Sequence, residues 1–88
     1  MENFMDLPNI GKVNAGKLVA SGITTVEEFM NIGAKEAFIK IRQSTDPGLC
    51  MSALLALAGA EMGIKKKELP EDIVADLREF FGSVTIKN

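Results

Sequence analysis

The run MSALLALAGA, residues 51–60, sets the tightest limit on what this chain can become. It carries no charge, and at helical spacing Leu54, Leu57 and Ala58 continue a stripe that begins at Cys50. Met51, Leu55 and Met62 widen that stripe until the helix is apolar over most of its circumference, which places it in the middle of a bundle. The run is about half the length a membrane span needs, so it is expected to be a core helix and no membrane partner is expected. In a chain of 88 residues, one helix that needs cover on several sides predicts one all-α domain.

Glycines and prolines punctuate the rest into helical stretches, and the spacing predicts a compact five-helix domain, 1–88. Helix one is expected over 12–21, with Val13, Leu18 and Ala15 inward and Gly22 as its left-handed terminator. Thr25 followed three residues later by Glu28 is a capping-box pattern. It opens helix two, 26–32, with Val26, Phe29 and Met30 at helical spacing and Gly33 as its stop. Helix three spans 34–43 with Ala37, Phe38 and Ile41 on one face. Asp46 as N-cap and Pro47 in the first turn predict helix four over 47–62, ended by Gly63. Pro70, Glu71 and Asp72 open helix five, whose residues Ile73, Leu77, Phe80 and Phe81 face inward before Gly82. Val84 and Ile86 form an apolar tail without an assigned state. No alternating strand pattern appears.

The inventory argues against catalysis. The chain has no His, Trp or Tyr, so a general acid or base at neutral pH would need a shifted Asp, Glu or Lys. The acid pairs Glu27–Glu28 and Glu71–Asp72 sit where helix dipoles account for them. Cys50 has no His beside it and is expected to be a buried structural thiol. One Cys without His cannot build a four-ligand metal cage, so neither metal nor cofactor is expected, and no catalytic residue or small-molecule substrate. The N-terminus MENFMDLPNI has no basic segment followed by an apolar core, and one cysteine signals no disulfide framework; a cytoplasmic protein is expected.

Charge is uneven on a finer scale. The net charge is −2, yet residues 7–26 hold Lys12 and Lys17 with no acid. The only basic run is Lys65, Lys66 and Lys67, a solvated turn or a contact for an acidic partner.

The segment LPNIGKVNAGKLVASGI, residues 7–23, closely follows the helix-hairpin-helix pattern of apolar-Pro-x-apolar-Gly, a helix with small residues, then Gly-apolar. Pro8 fixes one backbone angle, Asn9 tolerates a left-handed conformation, and Gly11 lets the chain pass close to a neighbour. If Gly11, Lys12 and Val13 open the helix, their amides form an anion site with Lys12 beside it. In many helix-hairpin-helix proteins this turn grips a DNA phosphate without reading sequence; in many others it is a packing corner.

A more specific resemblance covers residues 4–81. The order LPNIG…L…GI.T.EEF…GA.EAF, then L…ALAGA..GI, then LPEDI…L.EFF, resembles the C-terminal domain of TfoX (Sxy), a bacterial competence regulator. The resemblance implies an all-α fold, a bacterial source and a link to competence or transcription regulation; in the regulator the domain follows a separate N-terminal domain. It brings no catalytic residues. Lys65, Lys66 and Lys67 stand where many relatives carry an aromatic residue. Two functions follow for a non-enzymatic domain with its helix-hairpin-helix at about 7–32 and its C-terminal helices at about 34–82. One is weak, non-specific contact with duplex DNA through Asn9, Ile10, Gly11, Lys12 and Lys17. The other is a protein-interaction module in which the hairpin is only structural and the lysine run or an apolar surface meets a regulatory protein.

Overall fold

A computed structural model describes residues 3–86. A 3₁₀ turn, Phe4–Asp6, leads into α1 (Lys12–Ala20), α2 (Val26–Ser44), α3 (Met51–Met62), a second 3₁₀ turn at Lys66–Glu68, and α4 (Glu71–Ile86). Among the described residues the fold is all-α, but the expected count of five helices is corrected to four. Gly33 is a kink at which two helical stretches join into one element, α2. Its φ of 82° and ψ of 169° turn the direction of α2 within a single element. The amide of Ala34, released by the bend, donates to Glu61 Oε1 at 2.8 Å, so α3 caps the second half of α2.

The turn between α1 and α2 forms as its residues require. Gly22 sits at φ 97°, Ile23 N donates to the Leu18 carbonyl and Gly22 N to that of Val19, both at 3.0 Å. This is the Schellman closure, with Ile23 buried beneath it. Thr25 then caps α2 by accepting from Glu28 N, while the Glu28 carboxylate reaches back to the amide and hydroxyl of Thr24. Those bonds hold the Glu28 carboxyl below its ordinary pKa, the Thr24 amide being the largest cause.

Two further boundaries differ from expectation. The third helix begins at Met51 rather than at Pro47, because residues 46–49 close a turn (Leu49 N to Asp46 O, 3.1 Å) that drives Leu49 into the core. Arg42 holds the Leu49 carbonyl through Nε at 3.2 Å and Nη2 at 2.9 Å. At the other end, α4 runs through Gly82 to Ile86, and Val84 packs against the core.

α3 is the central rod. Leu54, Leu57, Ala58 and Ala60 are buried, and the helix packs on α2, on α4 and on the second 3₁₀ turn. Phe29, Phe38, Leu18 and Ile41 join Leu54 and Leu57 as the largest fully buried side chains among the described residues. Phe4 meets Phe29 edge-on, and Phe38 lies between Phe80 and Phe81 with the Arg42 guanidinium 4.8 Å from its ring centre. Val13 and Met30, expected inward, are instead 70% and 40% exposed. Among the described residues no helix is long and apolar enough to cross a membrane.

Candidate nucleic-acid interface

The turn that precedes α1 has its side chains turned inward. Asn9 adopts the left-handed backbone, φ 67°, which a short amide side chain tolerates. Its Nδ2 donates to the carbonyls of Ile64 (2.9 Å) and Ala56 (3.3 Å), and its Oδ1 accepts from Lys66 N at 3.0 Å. The Ile10 side chain is in the core, only 5% exposed. Of the expected phosphate-binding residues, these two therefore have no side chain to offer a ligand, and the Ile10 amide already donates to the Leu7 carbonyl at 3.4 Å. Gly11 is the exposed N-cap of α1 in an extended conformation, φ −97° and ψ −172°, with open space where a β-carbon would stand. The close passage expected at Gly11 is not there; it occurs at Gly59.

What the turn leaves outside is the start of α1. No side chain caps this end and no acid stands in its first turn. The opening amides of a helix have no partner within it. Lys12 is exposed at this end. Lys17 is otherwise engaged: its Nζ lies 2.7 Å from Asp46 Oδ2, and both side chains are partly covered. The hydrogen bond from Lys17 holds the Asp46 carboxyl below its ordinary pKa.

The lysine run, remote in sequence, lies against the same turn. Pro8 and Asn9 share a groove of about 320 Å³ with Lys65, Lys66 and Lys67, and all three lysines are exposed. A second groove of about 340 Å³ opens on the other side of Asn9 and Lys66, where Lys66 Nζ donates to Ser52 Oγ at 2.7 Å. Cys50 lines it. Its thiol is exposed, not buried as expected, because α3 starts late and makes Cys50 the N-cap. The amides of Ala53, first, and Ser52 draw its pKa below the ordinary value against a smaller desolvation cost, and the Lys17 charge adds to this. The late helix start, set by Leu49, is what sequence spacing missed. Among the described residues no group of three or more His, Cys, Asp or Glu is placed to hold a metal ion.

A third groove, about 600 Å³, runs between the first 3₁₀ turn, α1 and the start of α2. Met5 and Val19, 55% and 51% exposed, line it with Phe4 and Ala15.

No curated protein matches the chain. Two solved structures from Listeria monocytogenes are similar to it. One, an uncharacterized protein in a triclinic crystal form, is 40% identical, with 99% of this chain and 98% of that one covered and a TM-score of 0.93. The other, a protein of unknown function in a tetragonal form, is 43% identical, with 93% and 99% covered and a TM-score of 0.89. Residues 1–81 match the TfoX C-terminal domain, so the chain belongs to the TfoX C-terminal domain family.

Proposed function

We propose that this protein is a cytoplasmic, non-enzymatic regulatory domain that contacts phosphates of duplex DNA, without reading sequence, through the first turn of α1. Family membership suggests the regulatory role; competence or transcription regulation is the setting the family implies. The observation that carries the DNA contact is the uncapped, acid-free opening of α1 with Lys12 exposed upon it. Such an end concentrates amide donors and the positive end of the helix dipole. Duplex is favoured over single strand because strand-binding grooves stack bases on exposed aromatics. Here Phe4, Phe29 and Phe38 are buried, while Phe80 and Phe81 pack on the core.

Fluorescence anisotropy of a labelled duplex at low salt tests the reading. Affinity in the weak non-specific range, about 10⁻⁴ M, is expected, with Lys12→Glu abolishing it at unchanged melting temperature. Absence of binding, or binding indifferent to Lys12→Glu, refutes it. The groove lined by Met5 and Val19 favours a second reading, a regulatory protein held there; Val19→Asp would then break that complex and leave any DNA affinity intact.

A further inference from the structure

We infer that Lys65, Lys66 and Lys67 form the second half of the DNA contact, with the phosphate backbone crossing from the start of α1 over Asn9 to the lysine loop. The inference rests on the reading above and extends it to residues more than fifty positions away. Asn9 makes the connection. Its amide bonds the residues on both sides of Lys65, the Ile64 carbonyl and the Lys66 amide, so the loop backbone is fixed relative to the turn. Lys12 is three residues from Asn9 and therefore within about 11 Å of it along the chain. The helix opening and the loop thus lie within a few phosphate spacings of each other.

Charge makes the joined surface a polyanion site rather than a pocket for one ion. Among the described residues no acid lines the groove shared by Pro8, Asn9 and the three lysines. The acid that follows, Glu68, folds back to accept from Lys65 N at 3.3 Å. In the adjoining groove Asp46 is paired with Lys17. Four lysines, Lys12 with Lys65, Lys66 and Lys67, are thus left on an acidic protein, separate and exposed. A row of separate phosphates meets that spread better than one compact anion does.

The test is the salt dependence of duplex binding by the full chain. Each neutralised phosphate contributes roughly −0.9 to the slope of log affinity against log salt, so four lysines give about −3 to −4. Replacing all three loop lysines by glutamine should weaken binding and bring the slope to about −1. Lys40→Gln, beside Gly22 and Ile23 at the other end of α1, should leave it unchanged. Melting temperatures establish that the triple variant is folded. Should it not be, Lys65→Gln with Lys67→Gln suffices, and the slope then falls to about −2. If the wild type binds and Lys12→Glu releases the duplex, but the loop variants keep the wild-type slope, this inference is overturned and the α1 contact stands. If the wild type binds no duplex at low salt, both fall.

Discussion

Asn9 and Gly59 are fitted to each other across the molecule. A β-carbon on Gly59 would overlap the Nδ2 of Asn9 and stand 2.7 Å from the Ile64 carbonyl oxygen that this nitrogen bonds. The bare face of α3 at Gly59 is therefore what admits the side chain that ties the first turn to residues 56–66. Gly59→Ala tests this. In an open helix alanine would add up to about 1 kcal/mol of stability. Here, overpacking should make the variant about 1–3 kcal/mol less stable in urea melts. Asn9→Gly, which keeps the left-handed backbone and loses three hydrogen bonds, should cost about 2 kcal/mol. Asn9→Asp should cost more, because a carboxylate cannot donate to the Ile64 and Ala56 carbonyls. A Gly59→Ala variant as stable as the wild type would show that the fit is loose.

Gly11, by contrast, should be replaceable. Its backbone is extended and nothing crowds it, and serine is the better N-cap. Gly11→Ser should leave stability unchanged or raise it by a few tenths of a kcal/mol. A loss above about 1 kcal/mol would mean the glycine is needed in a conformation other than this one.

Much of the fold is legible in the sequence because apolar periodicity and glycine terminators act locally. Leu54 and Leu57, Phe38 and Ile41 are buried where their spacing puts them, and Gly22 and Gly63 are left-handed at helix ends. The exceptions arise where tertiary contacts decide. Glu61 captures the Ala34 amide just past the kink at Gly33, where two helical stretches join into one element. Leu49 needs burial and delays α3 by four residues. At the candidate site the turn and its left-handed Asn9 are readable, but not the bonds that join it to Lys66, since nothing local encodes a partner 57 residues away. One signal was present. An isolated glycine inside an otherwise apolar helix marks a close approach, and Gly59 is that glycine.

The Lys17–Asp46 pair should make stability respond to acid. Asp46 has a lowered pKa in the folded state, so its contribution is complete above the unfolded value of about 3.9 and is lost as pH falls through the folded value. Lys17→Met should return the Asp46 carboxyl toward its ordinary pKa in an NMR titration. The stability gap between wild type and variant should close below about pH 4. A gap that persists at lower pH would assign the effect of Lys17 to packing.

Cys50 should label quickly in the native protein. It is exposed, stands at the N-cap position of α3 and has a lowered thiol pKa, a setting that favours the thiolate and its access to a thiol reagent. Lys17→Met should slow the reaction modestly. Protection until denaturant is added would return Cys50 to the core.

Whether phosphate meets the first turn of α1 is read directly from the amide NMR spectrum during titration with a duplex at low salt. The expected result is a set of progressive shifts centred on the amides of Gly11, Lys12 and Val13 and extending to Lys65, Lys66 and Lys67. Those at Gly11 and Val13 should disappear in Lys12→Glu, and all should shrink as salt is added. Unmoved amides at Gly11, Lys12 and Val13, with or without shifts at Met5 and Val19, would contradict the contact.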